Sequence, residues 1–157
     1  MMKNQTCCFT GHRLIPPGQY RNIAGRLKNE IIKLINDGYY RFCAGGALGF
    51  DTLAAQVVLA LRKEYPHIQL VLVLPCFEQT KNWKELNKKI YNQILDSADE
   101  IIYVSVNYNR YCMYKRDRYL VDSSNFCICY LKKPTGGAAY TVEYAKKNEV
   151  DVENLAE

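Results

Sequence analysis

The chain has 157 residues, 48% of them hydrophobic and 24% charged, which fits one globular domain with an ordinary core. The longest apolar stretch, residues 68–74, is too short for a transmembrane helix. The first six residues lack the apolar core of a signal peptide. We therefore expect a cytoplasmic protein without a membrane partner. The net charge of +5 is compatible with anionic ligands, but the charges are spread along the chain rather than gathered in a tail.

Strand-like and helix-like segments alternate along the chain. In the first half, the patterns predict a strand over 6–10, a helix over 20–36, a strand over 39–44, a helix over 51–64 and a strand over 68–74. In the second half, they predict a helix over 81–96, a strand over 100–106, a basic, tyrosine-rich helix over 108–123, a strand over 126–131 and a helix over 139–147. No internal repeat, low-complexity segment or linker interrupts this alternation.

This alternation predicts a Rossmann-like α/β fold, a three-layer sandwich in which a mostly parallel sheet of about five strands carries helices on both faces. Right-handed crossovers place the carboxyl ends of the strands along one edge, where ligands bind at the switch in strand order. We expect residues 1–148 to form one such domain and the acidic residues 149–157 to form a frayed tail.

Three glycine-containing turns each follow a predicted strand: TGHR at residues 10–13, AGGALGFD at 44–51 and PTGGAAYT at 134–141. The unpaired N–H groups and the dipole of a helix N-terminus favour an anion at such turns, so three of them on one edge predict a phosphate site. The alternative for each turn is a tight strand-to-helix connection with nothing bound. Neither double-glycine turn has the spacing of a P-loop or of the Gly-x-Gly-x-x-Gly dinucleotide motif, which disfavours an NTPase or a conventional dehydrogenase.

The ordered motifs TGHR at 10–13, GGALGFD at 45–51 and TGGAAYTVE at 135–143 resemble the YpsA-like branch of the SLOG superfamily. That superfamily is Rossmann-like and includes the LOG phosphoribohydrolases and the DNA-processing DprA proteins. The resemblance covers nearly the whole chain. It implies a sensor or binding protein for a nucleotide or nucleotide-derived ligand, such as a nucleoside monophosphate or an ADP-ribose-like molecule, with no cofactor.

The turns and the resemblance together give a set of predicted ligand- and phosphate-binding residues. These are Thr10, Gly11, Arg13, Gly45, Gly46, Gly49, Asp51, Gly136, Gly137 and Thr141. For Arg13 the alternative is a surface salt bridge. Asp51 is interpreted first as a helix cap, the role that aspartate favours at a helix start, with contact to a ribose hydroxyl as the alternative. His12 is interpreted as a hydrogen-bond partner of the backbone, with general acid or base chemistry as the alternative.

The MYKRD segment at 113–117 is similar to the Met-x-x-Arg-Lys motif of the LOG family, and Asp117 stands where that family has lysine. By that resemblance Arg116 and Glu143 stand at the positions of the catalytic arginine and glutamate. A carboxylate there would stabilise an oxocarbenium-like sugar and orient water, so an N-glycosidic phosphoribohydrolase is the alternative to binding alone. The other alternative is that Glu143 is a helix acid favoured by the dipole and Arg116 an exposed helix cation.

Tyrosines are interleaved with cations in the stretch 103–119, notably Arg110, Lys115, Arg116 and Arg118. We interpret this surface first as a subunit contact in a homodimer and second as a stacking surface for a nucleobase. DprA-like binding of single-stranded DNA is the third reading.

The sequence has seven cysteines, most of them in apolar runs and none in a Cys-x-x-Cys pair. We expect free, buried thiols and neither a disulfide framework nor a metal site.

Overall fold

Residues 5–157, which the computed structural model describes, contain six strands and five helices. The strands are β1 (Thr6–Gly11), β2 (Arg41–Ala44), β3 (Gln69–Leu74), β4 (Glu100–Tyr103), β5 (Phe126–Tyr130) and β6 (Asp151–Asn154). The helices are α1 (Pro17–Asn36), α2 (Phe50–Arg62), α3 (Glu85–Ser97), α4 (Cys112–Asp122) and α5 (Gly137–Lys147). The first four residues of the predicted domain lie outside the described part of the chain.

The strands form one parallel sheet in the order β4-β3-β2-β1-β5-β6. The chain runs outward from β1 to β4 and then returns to the other side of β1, where β5 pairs. The switch in strand order therefore lies between β1 and β5, and a crevice forms outside the carboxyl ends of these strands. The predicted Rossmann-like fold is confirmed, with six strands rather than about five.

Hydrophobic cores lie on both faces of the sheet because successive strand residues point to opposite sides. Cys7 and Phe9 of β1 belong to a core that includes buried residues of α1, α2 and α3. Cys8, between them, belongs to a second core with buried residues of α4 and α5. The helices thus cover both faces, as the predicted three-layer sandwich requires.

The prediction that residues 149–157 form a frayed tail is wrong. Residues Asp151–Asn154 form β6, which pairs with β5 along the edge of the sheet. The Asn154 side chain bonds both the N–H and the carbonyl of Leu131, at 3.1 and 2.9 Å, and Leu155 is buried. Backbone pairing and this amide bridge order the segment although its sequence is acidic. Whether residues 1–148 fold without this edge strand stays a prediction.

The seven cysteines are free and buried, as predicted, and five of them lie on the three adjoining strands β1, β2 and β5. Burial raises the pKa of Cys43 and of Cys129 to about 12. These thiols therefore stay protonated at neutral pH and behave as small apolar side chains.

Among the described residues, no helix combines the length and the apolar character that a membrane span requires.

Candidate functional site

A cavity of about 420 Å³ opens at the carboxyl ends of β1, β2 and β5, beside the switch in strand order. Its walls contain many of the predicted site residues. These are Thr10, Gly11, Arg13, Asp51, Arg116, Gly136 and Gly137. Its size lies within the range of about 300–1,000 Å³ that is typical of small-molecule sites. Loops that are far apart in sequence therefore meet around one space, as the three glycine turns predicted.

The first double-glycine turn, which connects β2 to α2, is filled by the protein itself. The Gly45 carbonyl accepts a hydrogen bond from Nη1 of Arg116, and a Cβ atom on Gly45 would lie 2.7 Å from that nitrogen. A Cβ atom on Gly46 would lie 2.4 Å from Cδ2 of Leu74. Neither glycine lines the cavity. In this turn, the absence of side chains makes room for protein atoms.

Gly49 ends this turn as the N-cap residue of α2, with a φ of +78° that L side chains rarely adopt. A Cβ atom there would lie 2.2 Å from the carbonyl oxygen of Arg13 in the loop after β1. Gly11 is similarly close to a neighbour, because its Cβ atom would lie 2.5 Å from the Phe50 ring. These two glycines allow the loops after β1 and β2 to touch.

Arg116 lies at the centre of a buried charged cluster. Its Nε donates to Oδ1 of Asp117 at 2.8 Å, and both side chains are buried. The predicted alternative that Arg116 is an exposed helix cation is therefore wrong, since only 7% of the residue is exposed. The guanidinium is held by Asp117 and by the Gly45 carbonyl while it lines the cavity.

Asp51 is a second buried carboxylate of this cluster. Its Oδ2 accepts a hydrogen bond from the N–H of Ala47 at 3.2 Å. Burial raises the pKa of Asp51 to about 6, although the Arg116 guanidinium opposes this rise. Burial also raises the pKa of Asp117, against the same guanidinium. The interpretation of Asp51 as a helix cap is wrong, because Gly49 holds that position and Asp51 instead bonds within the turn.

The second double-glycine turn, which leads from β5 into α5, is open. Gly136 is the N-cap residue with a φ of +97°, and no side chain of residues 5–157 caps the helix. A Cβ atom on Gly136 or Gly137 would meet no described atom within 4 Å. Both glycines are exposed and line the cavity. The first N–H groups of α5 are therefore accessible from the cavity, the arrangement that suits an anion.

His12 fixes the loop that precedes this turn. Its Nε2 accepts hydrogen bonds from the N–H groups of Lys132 and Lys133, at 2.8 and 3.2 Å. Burial and the Lys133 charge lower the pKa of His12, which keeps the ring neutral and able to accept. The predicted backbone role of His12 is confirmed.

Two of the predicted residues on α5 lie outside the cavity wall. Glu143 is exposed, and Thr141 is buried with its hydroxyl donating to the Gly137 carbonyl at 2.9 Å. The structure thus brings Arg116 to the cavity but not Glu143, and their catalytic roles stay a prediction. Among residues 5–157, no group of three or more His, Cys, Asp or Glu side chains is placed to hold a metal ion.

The sequence did not place Asp117 in the site, and it gave Tyr114 only as part of the tyrosine-rich stretch 103–119, although both residues line the cavity. Asp117 was noticed only as a departure from the Met-x-x-Arg-Lys motif, and that departure was the available signal. Tyr114 is exposed and contacts Tyr140 edge-on, with 4.8 Å between the ring centroids. Arg110 also lines the cavity, and its guanidinium carbon lies 5.7 Å from the centroid of the Tyr111 ring.

Comparison with known sequences finds a family match over most of the chain. The YpsA family model, described as the YspA SLOG family, matches residues 17–155. A UPF0398 protein of Halalkalibacterium halodurans is 33% identical over 125 residues, which cover 78% of this chain and 66% of that protein. The UPF0398 protein YpsA of Bacillus subtilis is 30% identical over 124 residues, covering 77% of this chain and 69% of that one.

Among solved structures, DNA processing protein A from Helicobacter pylori, studied for its single-stranded DNA binding mode, is similar in fold. The TM-score is 0.68 at 18% sequence identity, over 94% of this chain and 63% of that one. The chain thus spans about two thirds of the length of these proteins.

Proposed function

We propose that this chain, which belongs to the YspA SLOG family, binds a nucleotide or nucleotide-derived ligand in the cavity at the carboxyl ends of β1 and β5. In this proposal it acts as a sensor or binding protein. The observation that carries this proposal is the open N-terminus of α5. Its glycines face the cavity without a side-chain cap, whereas the comparable turn after β2 is filled by Arg116. We therefore assign the phosphate to Gly136 and Gly137.

Two further cations that line the cavity support an anionic ligand. Arg13 follows β1 and is exposed, and Arg110 precedes α4 and is also exposed; both line the cavity. Their guanidinium groups are free to turn toward a phosphate and to bind it in a bidentate way. Arg116 is less available for that role, because Asp117 and the Gly45 carbonyl already hold it. We assign Arg116 to the shaping of the site.

The remaining polar and aromatic groups suit a nucleoside. The carboxylates of Asp51 and Asp117 accept hydrogen bonds, as the hydroxyl groups of a ribose require. Tyr114 presents an exposed ring at the rim, on which a nucleobase can stack. Together with an anion site at α5, these groups match the three parts of a nucleotide.

The test is a thermal-shift series with AMP, ADP-ribose and NAD⁺ as probes. A ligand at about 100 times its Kd stabilises a protein by about 2.7 kcal/mol, which raises the Tm of a chain of this size by about 5–10 °C. Gly137→Val places a branched side chain at the proposed phosphate position and should remove most of this shift. Gly25→Val is the matched control, because Gly25 is also exposed and a Cβ atom there would also meet no described atom within 4 Å. Equal shifts for Gly137→Val and the unsubstituted protein would contradict the assignment.

Binding without turnover is favoured over phosphoribohydrolase activity because Glu143 is exposed and lies outside the cavity wall. Release of adenine and ribose 5-phosphate from AMP, lost in Glu143→Gln, would instead support the hydrolase.

Single-stranded DNA is a second candidate ligand, favoured by one surface feature. Three exposed tyrosines and three exposed cations lie on α4 and the loop before it: Tyr108, Tyr111, Tyr114, Arg110, Lys115 and Arg118. Aromatic rings beside cations are a common platform for single strands, and the similar DNA processing protein A was studied in that context. An oligonucleotide that binds with a steep salt dependence, lost when these cations are neutralised, would support this candidate.

A further inference from the structure

One face of α4 directs a carboxylate into the cavity. Met113, Asp117 and Leu120 line the cavity at helical spacing, so this face of the helix forms part of its wall. Asp117 is the acidic residue on that face, and 9% of its side-chain surface is exposed. It stands where the Met-x-x-Arg-Lys motif has lysine. This chain therefore presents a hydrogen-bond acceptor at a point where that motif has a cation.

The Asp117 carboxylate has acceptor capacity that the protein does not use. An ionised carboxylate can accept about four hydrogen bonds. Its Oδ1 accepts one from Nε of Arg116 at 2.8 Å. The Thr141 hydroxyl is a second neighbour, although it also donates to the Gly137 carbonyl at 2.9 Å. Among residues 5–157 these are its hydrogen-bonding neighbours, so about two acceptor positions stay open to a ligand.

Asp51 adds a second carboxylate to the same part of the wall. Asp51 and Asp117 are both buried, both line the cavity and interact electrostatically with each other. In the described part of the chain, Arg116 is the one buried cation beside them. Two carboxylates around one guanidinium leave an excess of negative charge. This point of the cavity therefore favours a neutral hydrogen-bond donor and disfavours a phosphate.

We propose that Asp117 and Asp51 accept hydrogen bonds from the 2′- and 3′-hydroxyl groups of a ribose, so that the cavity selects ribonucleotides over 2′-deoxyribonucleotides. This inference rests on the proposed function, which places the phosphate at Gly136 and Gly137, and names the class of nucleotide that the same site takes. A ligand without the 2′-hydroxyl leaves a buried, charged acceptor without its partner, which is the costly way to lose a hydrogen bond. Asp117 is thus a specificity-determining residue.

The same chemistry excludes a DNA strand from this part of the cavity. DNA has no 2′-hydroxyl groups, and the 3′-oxygen of each internal nucleotide is esterified to phosphate. Neither hydroxyl is then available as a donor, and the linking phosphate brings a negative charge beside the two carboxylates. The cavity therefore takes a free ribonucleotide rather than a segment of DNA.

The experiment compares AMP with 2′-deoxy-AMP by isothermal titration calorimetry at neutral pH. The two probes differ by a single hydroxyl group, so the first comparison needs no substitution in the protein. We expect AMP to bind about 10–100-fold tighter than 2′-deoxy-AMP. Asp117→Asn removes the charge and replaces one acceptor oxygen by a donor. It should weaken AMP binding about tenfold and 2′-deoxy-AMP binding much less, so that the preference largely disappears.

Asp122→Asn is the matched control. Asp122 lies on the same helix, is exposed and does not line the cavity, and its carboxylate accepts a hydrogen bond from the Tyr144 hydroxyl at 2.8 Å. Both variants remove one negative charge, and by charge alone each would bind both anionic probes slightly tighter. We expect Asp122→Asn to keep the full preference for AMP. The Tm of each variant, measured without ligand, shows whether it is folded.

The outcomes separate the two proposals. If 2′-deoxy-AMP binds as tightly as AMP, or if folded Asp117→Asn keeps the preference or weakens both probes equally, the ribose assignment is overturned and the proposed function stands. If ADP-ribose stabilises the protein but AMP does not bind, the ribose assignment is likewise overturned. If none of these probes binds, both proposals fail. If Asp117→Asn does not fold, the comparison of the two probes on the unsubstituted protein decides alone.

Discussion

The two double-glycine turns share the sequence Gly-Gly-Ala, yet the structure uses them in opposite ways. In the turn after β2, the space beside Gly45 holds the Arg116 guanidinium, and Gly49 touches the loop after β1. In the turn before α5, Gly136 and Gly137 have no described atom within 4 Å of a Cβ position. A glycine pair therefore marks a place where atoms come close to the backbone. Whether those atoms belong to the protein or to a ligand depends on the rest of the fold.

The two turns also differ in their electrostatics. In the filled turn, the Arg116 guanidinium from α4 lies beside the Asp51 carboxylate. The positive charge there is therefore already balanced and offers little attraction to an anionic ligand. The open turn has only the partial positive charge of the α5 N-terminus. We expect substitutions in the filled turn to change the stability of the fold, and substitutions in the open turn to change ligand binding.

The largest effect is expected from Arg116→Met, which leaves Asp51 and Asp117 buried without their cation. Loss of one partner from a buried ion pair costs about 3–5 kcal/mol at neutral pH. Both carboxyls already have a raised pKa in the folded protein, about 6 for Asp51. Without the Arg116 guanidinium both pKa values rise further, so the deficit relative to the unsubstituted protein should be smallest at pH 4 and should grow as the pH rises through about 6, the folded pKa of Asp51.

Urea denaturation of Arg116→Met and of the unsubstituted protein at pH 4, 5, 6 and 7 measures this difference. A deficit that does not change with pH would show that Arg116 contributes by packing alone.

The next effect is expected from Gly49→Ala in the same turn. A side chain at a φ of +78°, with its Cβ atom 2.2 Å from the Arg13 carbonyl oxygen, must displace the backbone. Strain and overpacking together should lower the free energy of unfolding by about 2–4 kcal/mol. The midpoint of chemical denaturation checks this value, with Gly25→Ala in α1 as the control. An unchanged midpoint would show that the filled turn accepts a side chain as readily as the open turn does, and would contradict the comparison.

The smallest effect, and one of opposite sign, is expected from Gly137→Ala in the open turn. The backbone there does not need glycine and the Cβ atom meets no described neighbour, so alanine should stabilise the free protein by about 0.4–1 kcal/mol. The same methyl group stands where the proposed phosphate approaches, so ligand affinity should fall while Tm rises. A variant that is less stable than the parent would mean that this turn, too, depends on close packing.

The fold could be predicted from the sequence because buried parallel strands are nearly continuous apolar runs. Residues 68–74 and 126–131 were found in this way, and both contain strands of the central sheet. The strand β6 was missed because it lies at an edge and its residues are acidic. Its position depends on the backbone of β5 and on the Asn154 amide, neither of which leaves a hydrophobic pattern.

The site was predicted only in part, for a related reason. Glycine spacing located the turns, but the burial of Arg116 depends on the Gly45 carbonyl, 71 residues away in sequence. No local pattern reports such a contact. Tyr130 was likewise predicted only as a residue of the strand over 126–131, because a buried tyrosine whose hydroxyl has no partner among the described residues has the same local sequence signal as one that is paired.

The buried cysteines of the central sheet have a practical consequence for measuring how this protein opens. Only a thiolate reacts rapidly with an alkylating reagent, and the Cys43 and Cys129 thiols are both inaccessible and held protonated by burial. Alkylation of these two residues therefore requires the core between the sheet and the helices α4 and α5 to open. When the core closes again faster than the reagent reacts, the labelling rate measured by mass spectrometry gives the equilibrium constant for that opening. The native cysteines serve as the reporters, so no cysteine has to be introduced.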